Sequence, residues 1–406
     1  MKPSSHSYDQ LKDLVTGETL PVMLVDLDAF DRNVEHFLKI ARNHEKLLRP
    51  ASKSVRVPAL LHRLQELGGE TVCGLMCYST AEAVFLADHG FDDLLVAYPH
   101  VQPADVQNAL KITEQSKSIT LMVDSHSQVE RLAKLCSDNP QATPLRVCID
   151  IDASLKTLGQ HMGVQRSSLR SIGDLKELIR AINDSPQLKL VGAMTYEAQV
   201  AGLGDCSPHQ RMLNPIIRRI KRASMDWLKD FRQQVRQVFA DEGVEMEIFN
   251  GGGSGSFEHT ATHTSLTEVT AGSGFLQSHL FDHYALNQCE PAIFFGLAAT
   301  RIPQPDRLTC HSGGFIASGS PGADRQPTIY QPEGLSVDSR EGYGEVQTPL
   351  IVPRHLQGKI HVGDPIFFRP AKAGEIAERF DEYILFRGDK IVDRVPTYRG
   401  LSRCFY

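Results

Sequence analysis

Two kinds of stretch in this sequence carry residue types that could do chemistry. In "LLRPASKSVRVP" (47–58) a strand-like apolar run ends in Ser52-Lys53-Ser54, and parallel α/β architectures place their chemistry at the carboxyl ends of strands. A lysine at such an end is either a salt-bridged structural residue or a reactive amine whose pKa is lowered by desolvation, the state suited to Schiff-base chemistry. In "FNGGGSGSF" (249–257) Asn250, Gly251, Gly252, Gly253 and Ser254 follow another apolar run. Glycine lets backbone N–H groups converge on an anion and serine adds hydroxyl donors, so the stretch is a candidate phosphate cradle. "TAGSGF" (270–275), with Gly272 and Ser273, ends the next run in the same way.

Either glycine run alone reads as a tight turn. Two of them on adjacent strands, together with the lysine, suggest pyridoxal phosphate: its aldehyde requires an amine, and its phosphate requires a nest of neutral donors.

The elements that must position these residues are legible as an alternation. Nine short apolar or β-branched runs occur between residues 21 and 275: 21–27, 47–53, 72–78, 93–99, 119–125, 145–152, 188–197, 246–253 and 268–275. Amphipathic segments such as 79–89, 126–136 and 208–240 separate most of them. Ser79 and Ser125 stand where N-caps would, with Glu82 and Gln128 three residues on, and Gly90 stands where a C-cap would. Strand–helix alternation with continuous apolar strands calls for a parallel sheet covered by helices, either doubly wound or closed as a (β/α)8 barrel. Nine strands is one too many for a barrel, which is accounted for if the first leaves to pair elsewhere.

After about residue 285 the texture turns to Gly/Pro-rich turns and short extended runs, with "RGD" (387–389) reading as a hairpin turn. The expected organisation is a (β/α)8 TIM-type barrel over 28–282 and an antiparallel β-domain over 283–406 that recruits residues 1–27.

Composition narrows the function. The chain has 406 residues, 41% hydrophobic, and a net charge of −6 with acids and bases interspersed. There is no basic stripe to serve as a footprint on nucleic acid or an anionic membrane, so neither is an expected partner. No stretch approaches the roughly 18 to 20 apolar residues of a membrane span, and the first twenty residues lack a signal-peptide core, so a cytoplasmic protein is expected. The eight cysteines are scattered without a CxxC pair and read as buried free thiols.

In order along the chain, "LPVMLVDLDAFDRNVE", "RPASKS", "EAVFLADHGFDDLLVAYP", "GAMTYEAQ", "NGGGSG" and "VGDPIFFRPAKAGEIAERFDEYILFRGDKIVDRVPTYRG" resemble the landmarks of the D-threonine aldolase and D-serine dehydratase group. These are fold-type III pyridoxal-phosphate enzymes with an alanine-racemase-like barrel. The resemblance implies that Lys53 carries the cofactor as a Schiff base and that Tyr196, Gly251–Ser254 and Gly272–Ser273 hold its phosphate. It also implies that the opening strand joins the C-terminal β-domain and that the protein is a head-to-tail homodimer. The implied substrates are D-amino acids, frequently with a β-hydroxyl. Gln199, three residues beyond Tyr196, faces either the substrate carboxylate or solvent.

There are departures. The group binds a divalent metal, usually zinc, with a His and a Cys or Asp two residues apart near the C-terminus. Lys372 and Gly374 occupy those positions here, and neither offers a lone pair to zinc, so no family-type zinc site is expected. Lys372 supplies a fixed positive charge in place of the metal or is a surface lysine beside Glu375 and Glu378. Thr157 stands where related enzymes often carry an arginine to the cofactor's phenolic oxygen. His259 and His263, spaced i, i+4, read as part of a polar connection.

The expected activity is a lyase, D-threonine aldolase-like, cleaving Cα–Cβ of a D-β-hydroxy amino acid with Lys53 and Lys372 as catalytic residues. Dehydration, racemisation, or cofactor binding without catalysis are the alternatives on the same scaffold.

Overall fold

The nine apolar runs all become strands in the computed structural model, which describes residues 5–139, 143–157 and 160–405. The first, β1 (Val22–Asp26), stands outside the barrel. The barrel consists of β2 (Leu47–Pro50), β3 (Leu75–Cys77), β4 (Leu94–Pro99), β5 (Ile119–Val123) and β6 (Leu145–Asp150). After a small hairpin, β7 (Leu155–Thr157) and β8 (Gln160–Met162), it continues with β9 (Leu188–Thr195), β10 (Ile248–Gly251) and β11 (Glu268–Ala271). All pairings within it are parallel, in the order β2-β11-β10-β9-β6-β5-β4-β3. Parallel bridges from Leu48 to Val72 and from Ala51 to Met76 bring the two ends together.

Side chains on these strands alternate between two environments, as the period of two demands. Leu95, Ala97, Met122, Cys148, Val191 and Ile248 fill the barrel interior, while Leu94, Val96, Leu121, Val147 and Phe249 belong to the larger core beneath the helices. Four polar residues, Arg49, Asn250, Glu268 and Thr270, share the interior face. Arg49 Nε and Nη2 donate to Glu268 at 2.6 and 2.8 Å, and Asn250 Nδ2 donates to Glu268 Oε1 at 2.7 Å and to Thr270 Oγ1 at 2.9 Å. A charge buried in a barrel persists when it is paired and its remaining valences are filled, and this cluster meets both conditions.

The caps that the sequence suggested form in part. Ser79 accepts from the N–H of Glu82 at 3.2 Å, but Glu82 reaches back to the N–H of Tyr78 at 2.8 Å, one residue earlier than a capping box requires. Ser125 sits at its N-cap position without a capping bond, and Gln128 bonds the N–H of Asp124 instead. Gly90 follows its helix at φ +92, where only glycine is unstrained.

The second sheet gathers β12 (Ile293–Gln304), β13 (Arg307–His311), β14 (Thr328–Gln331), β15 (Ser336–Val337), β16 (Gln347–Ile351), β17 (Pro365–Arg369), β18 (Glu382–Arg387) and β19 (Lys390–Pro396). β1 lies inside it, antiparallel to β12 and parallel to β18, with Leu24 opposite both Phe294 and Ile384. The first run does leave the barrel. The "RGD" hairpin joins β18 to β19 with Gly388 at φ +57.

The cysteine expectation needs correction: Cys206 and Cys404 are exposed and Cys73 half-buried, while the other five are buried. Among the described residues no helix is long and apolar enough to cross a membrane.

Candidate active site

β2 runs out at Pro50, and the chain tightens into a single 3-10 turn, Ser52–Ser54. Ser52 Oγ anchors that turn to the carbonyl of Met76 on β3 at 2.9 Å. Lys53 rises from it and donates from Nζ to Tyr98 Oη at 2.5 Å, with the ammonium 5.2 Å from the centre of the Tyr98 ring. Lys53 has exposed surface yet is surrounded by protein at depth, so it lines an open crevice at the mouth of the barrel. A lowered pKa is not what the surroundings produce. Burial pulls the ammonium down, but the hydrogen bond to the Tyr98 hydroxyl, with a further contribution from Tyr196, more than offsets it and holds Lys53 above the ordinary lysine value.

The two glycine segments meet beside this turn. Ser254 Oγ accepts from the N–H groups of Gly272 (3.0 Å) and Gly274 (2.9 Å), and Ser54 Oγ lies 3.3 Å from Ser273 Oγ, so β2, β10 and β11 end in one connected rim. Close approach explains the glycines. A Cβ on Gly272 would stand 2.7 Å from Ser54 Oγ, and one on Gly274 would stand 2.4 Å from Phe37 Cζ.

Within "NGGGSG" the roles divide. Gly251 admits the Arg232 guanidinium, which a Cβ would meet at 2.6 Å, and Gly252 turns the chain at φ +91. The N–H groups of Gly252 and Gly253 are spent on Glu197 and Ser256, at 3.2 Å each. Those of Ser254, Gly255 and Ser273 have no partner among the described residues. Three neutral N–H donors and the hydroxyls of Ser54 and Ser273 are a donor set that fits a phosphate next to an amine.

Beneath the loop sits a closed ionic anchor. Glu197 pairs with Arg232 at 2.7 Å, both wholly buried, and also accepts from Ser256 Oγ at 2.8 Å and from Thr260 Oγ1. Burial pushes the Glu197 carboxyl up, but Arg232 and the two hydroxyls overcome it and hold the group below the usual carboxylate range. His263, half of the discounted histidine pair, is bound by Arg232 at 2.8 Å and pushed down to about 4 by burial and that neighbouring charge.

Other expected residues fall at varying distance from this rim. The Tyr196 ring packs on Gly253, where a Cβ would stand 3.3 Å from Tyr196 Cε2. Asn250 is not brought to the cradle: its side chain belongs to the barrel-interior cluster with Glu268 and Thr270. Gln199 is buried and donates to the carbonyl of Ala153 at 2.7 Å. Lys372 Nζ donates to Glu375 at 2.8 Å and Ser318 at 2.9 Å. Gly374 packs so tightly that a Cβ there would lie 1.8 Å from the carbonyl oxygen of Lys53. The side chains of Lys156 and Thr157 lie outside the described residues.

Sequence reasoning missed several residues. Tyr98, in the run "DLLVAYP", could have been suspected as a polar aromatic at a strand end. Arg166 follows the β7–β8 hairpin, and its charge acts on Lys53, Tyr196 and Asp150. Asp150, at the end of β6, is pushed up to about 7 by burial and by Asp124 and Asp152. No local sequence signal marks either.

The chain is similar to a 3-hydroxy-D-aspartate aldolase of Paracoccus denitrificans, 23% identical over 253 residues, which are 62% of this chain and 59% of that protein. It is similar to a D-threonine aldolase of an Arthrobacter species, 23% identical over 329 residues, 78% of this chain and 76% of that protein. In structure it is similar to the D-threonine aldolase of Filomicrobium marinum, with a TM-score of 0.79 at 20% identity over 94% of this chain and 95% of the other. Residues 25–276, which hold Lys53, Tyr98, Tyr196 and both glycine segments, match a family described as alanine racemase, N-terminal domain, and the chain belongs to that family.

Proposed function

We propose that this chain is a pyridoxal-phosphate-dependent lyase of D-β-hydroxy amino acids, cleaving Cα–Cβ in the manner of a D-threonine aldolase. The observation that carries the reading is the convergence of a strand-end lysine with a Gly/Ser donor rim built from the two neighbouring strand ends. The names of the curated relatives, a hydroxyaspartate aldolase and a threonine aldolase, supply the substrate class.

When bound, the cofactor supplies an aldehyde for the lysine and an electron-poor ring for the electrons of the bond broken at Cα. The residues that would hold it are Lys53 by covalent attachment, and the N–H groups of Ser254, Gly255 and Ser273 with the Ser54 and Ser273 hydroxyls at its phosphate. Tyr196 flanks that loop. Lys53 Nζ, when not holding the cofactor, would accept or return a proton on its side of the substrate. Tyr98 Oη, at 2.5 Å in the resting arrangement, is placed to share that proton. The surroundings favour the ammonium form of Lys53, so Nζ would have to give up a proton before it could hold the aldehyde.

Activity is proposed to be independent of a family-type zinc. The supporting facts are the residue types at 372 and 374 and the backbone contact of Gly374, which a ligand side chain would destroy. In this reading Lys372 supplies the positive charge toward the substrate hydroxyl, partly offset by Glu375. We further propose a cytoplasmic homodimer. Met212, 91% exposed, with Leu213 and Ile216 beside it, is an apolar surface of the kind an assembly covers.

The test is direct. Borohydride treatment of the cofactor-loaded protein, followed by mapping, is expected to place the added mass on Lys53, and Lys53→Ala is expected to abolish turnover. D-Threonine is expected to give glycine and acetaldehyde. A keto acid instead would make the enzyme a dehydratase, and label elsewhere than Lys53 would overturn the site.

A further inference from the structure

We propose that Glu378 is a positioning residue for Lys53 and acts through Arg56. This rests on the reading that Lys53 carries the cofactor.

Arg56 closes the turn that bears the lysine. It is almost wholly buried, adopts φ +55, which is uncommon for a residue with a side chain, and donates its N–H to the carbonyl of Ser52 at 3.0 Å. Its guanidinium faces two ways: Nε donates to the carbonyl oxygen of Lys53 at 3.1 Å and Nη1 to Glu378 Oε1 at 2.7 Å. The Tyr78 ring lies 5.1 Å from Arg56 Cζ, and the N–H of Tyr398 donates to the Arg56 carbonyl at 3.0 Å. A bidentate-capable, permanently charged fork is the group that can fix a carbonyl and a carboxylate at once.

Gly374 packs against the same carbonyl so closely that no side chain fits between them, which limits where that peptide can move. Gly374 lies in the helix Ala373–Ile376 and Glu378 in the 3-10 turn Ala377–Arg379 that continues it, four residues apart and so on the same side of the helical stretch. One short segment therefore meets the Lys53 peptide twice, by the close packing of Gly374 and through the Glu378–Arg56 hydrogen bond.

Orientation at that peptide matters because the lysine side chain is a lever. A rotation of about 10° at Cα moves an amine about 6 Å away by about 1 Å, a misplacement on the order that costs 10²-fold in reaction with a fixed partner. Arg56 is buried and Glu378 only 28% exposed, so Glu378→Ala leaves a buried charge without this counter-charge and is expected to lower the urea midpoint as well. The effect specific to positioning is on the rate at which the amine captures the cofactor.

The experiment measures the visible absorbance that develops when pyridoxal phosphate is added to protein freed of it, with borohydride-fixed mass on Lys53 as the second readout and the urea midpoint as the folding control. Glu378→Ala and Arg56→Lys are each expected to slow capture about tenfold, the order set by one charge-assisted hydrogen bond, and the double variant to slow it no further. Wild-type capture rates in both single variants, whatever their urea midpoints, overturn the proposal. A wild-type protein that acquires no mass on Lys53 overturns the cofactor reading and this inference with it, and the two failures differ in whether the wild type reacts.

Discussion

Replacing Glu197 with glutamine tests whether the Gly/Ser rim depends on the ionic anchor below it. The Glu197–Arg232 pair has no exposed side-chain surface on either partner and closes at 2.7 Å. Glutamine keeps the shape and one acceptor but leaves the guanidinium without its counter-charge, and breaking a buried pair from one side costs about 3–5 kcal/mol. Glu197 also holds the N–H of Gly252 and the hydroxyls of Ser256 and Thr260, so the loss falls on the loop that shapes the rim. We expect Glu197→Gln to lower unfolding free energy in urea by about that amount and to weaken cofactor binding in parallel. Arg232→Met should behave similarly, and the double variant should lose less than the sum because it buries no lone charge. The pH dependence has a definite sign. The folded-state pKa lies below the ordinary 4.5, so the carboxylate's contribution is present above pH 4.5 and is lost as pH falls through the lowered value. The variant should lack that acid loss. A Glu197→Gln protein within about 1 kcal/mol of wild type, with unchanged cofactor affinity, would refute the anchor.

Ser254→Ala removes the shared acceptor of the Gly272 and Gly274 N–H groups, and should cost about 2 kcal/mol in urea and weaken pyridoxal phosphate binding in a fluorescence titration. Gly374→Ala forces a Cβ toward the Lys53 carbonyl, and should destabilise by about 1–3 kcal/mol and reduce borohydride-fixed mass on Lys53. Lys372→Met should lower turnover of D-threonine while Glu375→Gln, which unmasks the same charge, should preserve or raise it; equal rates in all three proteins would remove Lys372 from the chemistry. Glu82, wholly buried and pushed up to about 7 from 4.5 chiefly by burial, contributes stability that is full below pH 4.5 and lost as pH rises through about 7. Glu82→Gln should flatten that change, worth about 3 kcal/mol, in urea midpoints taken between pH 5 and 8.

The strands were readable because each is a short apolar run bounded by turn residues, and the exit of β1 followed from counting one strand too many. Lys53 was readable because a charged residue ended such a run. What the glycines do individually was not. From Asn250 to Ser254 the sequence reads as one cradle, yet Gly251 makes room for Arg232, the N–H groups of Gly252 and Gly253 are consumed internally, and Asn250 turns into the barrel, where period-two alternation places it with Arg49 and Glu268. The sequence left open whether the lysine is a paired residue or an amine of lowered pKa, because Tyr98 is 45 residues away and its contact exists only once β2 and β4 share a barrel. Arg56 looked like an ordinary basic residue after the motif. Its meaning depends on Glu378, more than three hundred residues later.

The departure of β1 from the barrel links the two halves of the site. Its last residue, Asp26, caps the helix Leu27–Asn43 by accepting from the N–H groups of Asp28 and Ala29 at 2.8 and 3.1 Å. That helix places Phe37 against Gly274, under the Gly/Ser rim. On its other side β1 pairs in parallel with β18, which begins three residues after the segment that carries Gly374 and Glu378 to the lysine turn. The amine and the rim are thus both referenced to one sheet, the amine through the 374–378 segment and the rim through the helix that β1 feeds. A strand kept inside the barrel would have joined its two neighbours there and fixed neither relative to the other domain. On this argument, weakening the β1–β18 pairing should separate capture of the aldehyde from retention of the phosphate, since each is held from a different end of the same strand.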